Sequence, residues 1–491
     1  MSRFMKGVLL VLASVAVVVL VRAVAVAPAE PPVERVTFAV DEPGAVERFR
    51  QALRFRTIST QDGAMDTQAF LGLHEFLRTA FPLVHRHLTR EVFDLSLIYR
   101  WAGRDATKPP IVLMGHLDVV PIAPGTEGTW THPPFDGIVE GDWIYGRGTL
   151  DDKSTVMAVF ESVESLLASG FTPERTLILQ FGHDEEVGGV KGARPMVEKL
   201  VAEGVKPGLV LDEGGALTSA QAIGASGTAA LIGVAEKGFV SVSLAVRGDG
   251  GHSSTPPDIT HIGRLSRAIV ALENAPFEPK LDGVVREMLE RSASHLPFSR
   301  RLVLNNLWLF RSVVTRALLR DQRSASMLRT STAATIFNAG NKDNVLPPEA
   351  HATVNFRIRP GESVDSVRRH VLKVIGDGQV EVTIEGFRSE PPPASPTSGP
   401  AFDAISRSIR QTLGETEPMV LPFLLMGATD ARYWSAYARP VYRFNPFPME
   451  DDAMKRAHGT DERVSKTGYV NGIRFYVQLI KNAQSLLMAG H

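Results

Sequence analysis

The sequence predicts an α/β protein, a mixed sheet with a smaller split βαβ domain inserted into it. Three observations predict this. First, short unbroken apolar runs recur: Ile111–Met114 within PIVLMGHLDVV (Pro110–Val120), TLILQF (Thr176–Phe181) and GLVL (Gly208–Leu211). Such runs suit parallel strands covered on both faces. Second, Ser154–Ser169 places apolar residues at Val156, Met157, Val159, Phe160, Val163, Leu166 and Leu167. That is helical spacing, and Gly170 is a natural stop. Third, beyond Ala235 the pattern changes to β-α-β-β-α-β.

Taken in order, the chain opens with Arg3 and Lys6 before an apolar stretch, Gly7–Val21, followed by Arg22. A positive segment and an apolar run of this length describe an export signal. Ala23-Val24-Ala25 is a candidate cleavage site, and Ala27–Pro32 is a linker. Retention as a membrane anchor is the equal alternative, with Arg22 reaching toward the headgroups. The protein is therefore expected to be exported, with an N-terminal membrane contact if the segment stays. Residues 1–35 form this leader and linker, and 36–235 form the first part of the body. Ala45–Arg54 and Asp66–Phe76 read as helices. Trp143–Tyr145 reads as a hairpin end feeding the loop GRGTLDDK (Gly146–Lys153).

The insert spans 236–388. Phe239–Val246, Thr332–Asn338, His351–Ile358 and Val380–Ile384 read as strands, and His261–Asn274 and Ser363–Ile375 as helices. This order is the ferredoxin-like arrangement. Residues 275–330 are surplus to it, with Leu302–Leu319 apolar and basic. They read as a helical elaboration, with a lid or apolar substrate wall as the functional alternative. SEPPPASPTSGP (Ser389–Pro400) is the linker back, and 389–491 complete the body.

The chemistry sits where the apolar runs end. In open α/β sheets, sites form beyond the carboxyl ends of the strands. The first run is followed by His116 and Asp118, the second by His183-Asp184-Glu185-Glu186, the third by Asp212-Glu213. Asp151-Asp152 precede the Ser154 helix, whose N-terminus favours a carboxylate. Singly, each is an ordinary loop. Together, four clusters crowd carboxylates that repel one another unless a cation or a shared proton intervenes. GATDAR (Gly427–Arg432) and AHGTDE (Ala457–Glu462) add a fifth and sixth cluster, and His458 supplies a second imidazole. Two imidazoles and three carboxylates suit a pair of divalent zinc ions.

Composition narrows the alternatives. The chain has 491 residues, 44% hydrophobic and 22% charged, with a formal net charge of -1. That length holds two or three domains, and that charge gives no argument for nucleic acid. No cysteine is present, which excludes thiol nucleophiles, iron–sulfur clusters, thiolate zinc sites and disulfides.

GHLDVVP, GRGTLDDK, HDEEVGG, GGHSSTPP, NVLPPEAHATVNFRIRPG, GATDAR and AHGTDE occur in this order. In them the chain resembles the dizinc aminoacylase and carboxypeptidase S metallopeptidase family, which includes acetylornithine deacetylase and succinyl-diaminopimelate desuccinylase. The likeness runs from about Val36 to the C-terminus. The insert before RTSTAATIFNAG is most similar to the carboxypeptidase S branch, with its secreted enzymes acting on N-fatty-acyl amino acids.

The resemblance implies a zinc-peptidase catalytic domain, with the insert as dimerisation domain or lid. It implies that Asp151 bridges two Zn2+ ions per subunit, with His116 and Glu213 completing one site and Glu186 and His458 the other. Asp212 is the reserve for Glu213, and Co2+ or Mn2+ are possible in place of zinc. Asp118 would orient His116, and Glu185 would be the general base. His252 would polarise the scissile carbonyl, reaching across a homodimer interface. Asn344, Arg357, Gly427 and Thr429 would bind substrate, a small peptide or N-acyl amino acid with a free carboxylate. Ala428 replaces the family's usual glycine and narrows that pocket. A cis peptide is expected at Asp151-Asp152. The implied reaction is amide hydrolysis by Glu185-assisted attack of a hydroxide held between the zinc ions. Two other readings remain: a catalytically silent metal-binding or interaction protein on this scaffold, and a one-metal esterase or phosphatase.

Overall fold

The structure, a computed structural model, describes residues 2–24, 32–450 and 452–485. Ala25 of the candidate cleavage site Ala23-Val24-Ala25 and most of the expected linker lie outside the described residues. Helix α1 (Arg3–Val24) has 22 residues and extends the expected Gly7–Val21 run at both ends. At about 1.5 Å per residue it is roughly 33 Å long, enough for a hydrocarbon core of about 30 Å. Helices α2 (Glu42–Ala52) and α3 (Thr67–Ala80) start on Asp41 and Asp66. The Asp66 carboxylate accepts from Gln68 N and Ala69 N, satisfying two otherwise orphaned amides.

Strands β1 (Thr89–Phe93), β2 (Ser96–Trp101) and β3 (Ile111–His116) come next, followed by α4 (Lys153–Ala168). Then come β4 (Leu177–Gly182), β5 (Leu209–Asp212), β6 (Ala216–Ser219) and β7 (Thr228–Glu236). β3 lies between β4 and β5 and is parallel to both, with His116 paired to Gly182. Every residue of β3 is buried. Ile111 and Leu113 pack into the core beneath α2, α3 and α4. Val112 and Met114 pack on the opposite face with Met196, Val197 and Leu200. The two-sided cover is why the run carries no polar alternation. The parallel register brings the carboxyl ends of β3, β4 and β5 to one edge.

The insert forms its own antiparallel sheet from β8 (Gly238–Arg247), β9 (Ser331–Ala339), β10 (Glu349–Ile358) and β11 (Glu381–Ser389). The spatial order is β9-β10-β8-β11, which is the ferredoxin-like order. Alternate residues Val240, Val242, Leu244 and Val246 meet Leu265, Leu272, Val367 and Val371 in a separate core. These last four come from α5 (His261–Asn274) and a later helix, Val364–Ile375, capped by Ser363.

The surplus segment forms α6 (Gly283–Ser292), α7 (Phe298–Leu304) and α8 (Leu307–Leu318). The apolar sides of these helices pack on the body, while Phe277 ahead of them packs in the inserted sheet's core. Met288 and Leu296 meet Ala229, Met419 and Leu421. Val285, Leu307 and Val314 meet Ala235 and Leu424. Met419, Leu421 and Leu424 lie on β12 (Met419–Leu425), which pairs in parallel with β7. β13 (Val441–Arg443) and β14 (Pro448–Met449) complete a ten-stranded mixed sheet. A final helix, Lys466–Asn482, packs into the main core through Ile473, Val477 and Ile480.

Candidate metal centre

Asp151 lies in the loop before α4, and its carboxylate stands between two imidazoles. His116 Nε2 is 2.8 Å from Asp151 Oδ1, and His458 Nε2 is 3.1 Å from Oδ2. His458 Nε2 is also 3.2 Å from Glu186 Oε2. His116, Asp151 and Glu186 offer ligand atoms within 4.8 Å of one another. The expected cis peptide at Asp151-Asp152 is present.

Four backbone devices place these groups. The His116 ring is held through Nδ1, 2.9 Å from the Asp118 carbonyl oxygen. The Asp118 carboxylate accepts from Ser59 Oγ at 2.6 Å, Glu185 N at 3.1 Å and Glu186 N at 3.2 Å. It thereby ties the loop after β3 to the turn after β4. Asp184 closes that turn by accepting from Lys191 N and Gly192 N. Glu462 Oε1 accepts from Gly148 N, Leu150 N and Asp151 N, while Oε2 takes Arg147 at 2.6 Å. His458 itself holds φ +61, in the left-handed region that non-glycine residues seldom adopt.

Asp212 and Glu213 separate by their partners. Asp212 Oδ1 accepts from Glu213 N and Oδ2 from Ala431 N. Glu213 has no such amide, and its carboxyl is pushed well up by desolvation and then by Asp151, Asp152, Asp212 and Glu185. Desolvation and then the charge of Asp430 push Glu185 well up. Glu186 is raised to about 7 by desolvation and by Asp151. His458 is raised to about 10 by its bonds to Asp151 and Glu186. Burial pulls His116 down, but Asp118 and Asp151 outweigh it and hold it well above its ordinary value. Glu186 Oε1 is buried without a hydrogen-bond partner. A divalent cation would satisfy that oxygen and relieve the repulsion, and these oxygen and nitrogen donors suit zinc, cobalt or manganese.

The remaining expected residues lie in two places. Thr429 is buried, and its N donates to Glu236 Oε2 at 3.2 Å. Gly427 lies in the same loop after β12. Asp430 beside it fills a pocket that needs glycine: a Cβ on Gly189, at φ +66, would meet Asp430 Oδ1 at 2.0 Å. Arg357, on β10, lies over the Phe239 ring at 4.8 Å, within the field of Glu185 and Arg432. His252 and Asn344 lie in the inserted domain at an exposed two-stranded ribbon, Gly251–His252 paired with Val345–Leu346, where Ser253 N donates to Asn344 O. Ser254 N donates to His252 Nδ1 at 3.1 Å, so the neutral ring carries its proton on Nε2. Ser59, Arg147 and Glu462 were not singled out by the sequence reading. Only Glu462 had a signal, as an acid in a glycine-bearing loop beside His458.

Two imidazoles and several carboxylates gathered around one shared aspartate at the carboxyl ends of the strands make a group able to hold metal. Residues 112–482 match the model of peptidase family M20/M25/M40, and the chain belongs to that family. It is 39% identical over 449 residues to a probable carboxypeptidase S-like 2 of Dictyostelium discoideum, covering 90% of this chain and 85% of that one. It is 37% identical to the N-fatty-acyl-amino acid synthase/hydrolase of Xenopus tropicalis, covering 90% and 86%. Carboxypeptidase S of Saccharomyces cerevisiae is 30% identical, with 89% and 84% covered. The fold matches an M20 family metallo-carboxypeptidase of Sulfolobus solfataricus at a TM-score of 0.67 and 20% identity, covering 90% of this chain and 99% of that one.

Proposed function

We propose that this chain is an exported dizinc hydrolase that cleaves an amide bond next to a free carboxylate, as a carboxypeptidase or an N-acyl-amino-acid amidohydrolase. The observation that carries this is Asp151 set between His116 and His458, with Glu186 beside the second imidazole. His116 with Glu213, and His458 with Glu186, would hold two zinc ions that share Asp151. Bound there, the pair supplies Lewis acidity and lowers the pKa of a water toward about 7.

The chain's own residues do the rest. Glu185 takes a proton from the attacking water and returns it to the departing amine nitrogen. Asp118 fixes both the His116 ring and the backbone of Glu185, so base and ligand keep one geometry. Arg357 supplies positive charge for the substrate carboxylate, with Gly427 and Thr429 as its companions, and Asn344 would join them from the ribbon that carries His252. His252, with its proton on Nε2, donates to the carbonyl oxygen across a homodimer interface. The similarity to carboxypeptidase S and to the N-fatty-acyl-amino acid enzyme supports both acyl classes. The 22-residue apolar helix supports export with the helix cleaved or kept as an anchor.

The test compares wild type with Glu185→Ala for metal content and for hydrolysis of a dipeptide, an N-acetyl amino acid and an N-oleoyl amino acid. Two zinc ions per subunit, one cleaved substrate class and a metal-replete but inactive variant are expected. A protein that binds no divalent metal would overturn the reading. So would a Glu185→Ala variant that keeps wild-type turnover.

A further inference from the structure

Helices α7 and α8 present an unusual surface. Their inward residues, Leu307 and Val314, are buried against the body. Their outward face is nevertheless apolar, with Phe298, Trp308, Leu309 and Val313 each between 46% and 54% exposed. Leu309 and Val313 are four apart and share one helical face. The segment is also basic, with Arg311, Arg316, Arg320 and Arg323 exposed. Residues 298–323 hold Arg300, Arg301, Arg311, Arg316, Arg320 and Arg323 against the single acid Asp321. A solvated helix ordinarily turns charge outward and apolar residues inward. This pair turns both outward.

The position of α1 says what meets that face. The carboxyl end of α1 is bonded to the junction of α7 and α8. Arg22 Nε donates to Asn305 O at 3.1 Å, and Asn305 Nδ2 donates back to Arg22 O at 2.9 Å. Asn306 Nδ2 donates to Val19 O at 3.1 Å. Among the described residues of α1, only Val19 and Ala23 are buried. The rest of this span-length helix is largely exposed, and the residues that anchor it, Asn305 and Asn306, directly precede α8 with its Trp308. If α1 enters a bilayer, its last turn sits at the headgroups, and α7–α8 must lie there too. Tryptophan and leucine entering the acyl boundary, with arginines at the phosphates, are what an interfacial surface needs. The basic excess selects anionic lipid.

We propose that α7–α8 is a membrane-docking surface for an anionic phospholipid bilayer, holding the catalytic body against the membrane from which α1 emerges. It assigns a role to the surplus segment other than lid or substrate wall, and it is independent of which substrate the enzyme cleaves.

The chain contains no cysteine, so one introduced thiol reports alone. Full-length protein with Leu309→Cys carries an environment-sensitive fluorophore and is reconstituted into phosphatidylcholine vesicles with or without phosphatidylglycerol. Val11→Cys on α1 and Val270→Cys, 53% exposed on α5, are the references. With phosphatidylglycerol, acyl-chain nitroxide lipids are expected to quench the Leu309→Cys label, as they quench Val11→Cys, while Val270→Cys stays open to aqueous iodide. Arg311→Glu with Arg316→Glu should remove most of that quenching at Leu309→Cys and leave Val11→Cys unchanged. The proposal fails if Leu309→Cys stays as iodide-accessible as Val270→Cys while Val11→Cys is in lipid. It also fails if shielding follows the protein-to-lipid ratio rather than lipid charge, which would mean a second copy covers the face.

Discussion

His116 and His458 lie 342 positions apart in the chain, yet their Nε2 atoms address opposite oxygens of one carboxylate, Asp151, at 2.8 and 3.1 Å. This symmetry about Asp151 makes it the group whose loss should separate the two halves of the centre. Asp151→Asn keeps the shape but offers an amide nitrogen to one half, which neither a cation nor a donating imidazole can use. The variant is expected to lose metal from at least one position and nearly all hydrolysis, with unchanged far-UV circular dichroism. Full metal content at wild-type rates would contradict the bridging role.

Asp118 accepts from one hydroxyl and two backbone amides with its two oxygens. In Asp118→Asn one oxygen becomes a donor and must face another donor. The turn bearing Glu185 and Glu186 should shift, lowering metal affinity or activity by about 10–100-fold, the usual range for groups that support metal ligands. Isothermal titration of the metal-stripped protein measures the first and turnover the second. Ser59→Ala removes only one of the three bonds and should have a smaller effect in the same direction.

Glu462 and Arg147 form a buried ion pair that also organises the Asp151 loop. Glu462→Gln leaves the Arg147 charge without its counterion in the interior. Breaking a buried pair from one side costs about 3–5 kcal/mol. Denaturant unfolding of the variant should show a loss of that order, and a midpoint equal to wild type would show that the pair is dispensable.

His74 predicts an acid-side stability loss from a group outside the ligand set. Burial, with the charge of Arg90 adding, holds its imidazole down to about 4, against about 6.5 in an unfolded chain. Nε2 is 3.1 Å from Leu95 O. Between those values the unfolded chain takes up a proton that the folded one refuses. Stability is therefore full above about pH 6.5 and falls as pH drops toward 4, by about 3 kcal/mol in total. His74→Gln keeps a donor for Leu95 and should flatten this part of the pH profile. An unchanged slope would assign the acid loss to other groups.

The sequence by itself determined the strands and the chemistry at their ends. Ile111–Met114 reads as a covered strand because a run with no polar alternation suits no half-exposed one, and the structure carries the strand on to His116. Alternation at Val240, Val242, Leu244 and Val246 likewise marked the inserted sheet. What it could not determine was which loop atoms meet. Asp212 and Glu213 are neighbours with the same charge. Only the amides of Glu213 and Ala431, the second brought in from 219 residues away, show which carboxylate is already taken. Ser59 and Arg147 carry no local signal, because a hydroxyl or guanidinium that holds a loop looks like any surface residue until its partner is placed. The same holds for residues 275–330, whose apolar pattern says that they pack, while the apolar side chains of β7 and β12 decide where most of them do. Short-range periodicity records what a segment buries; long-range hydrogen bonds and packing decide against what.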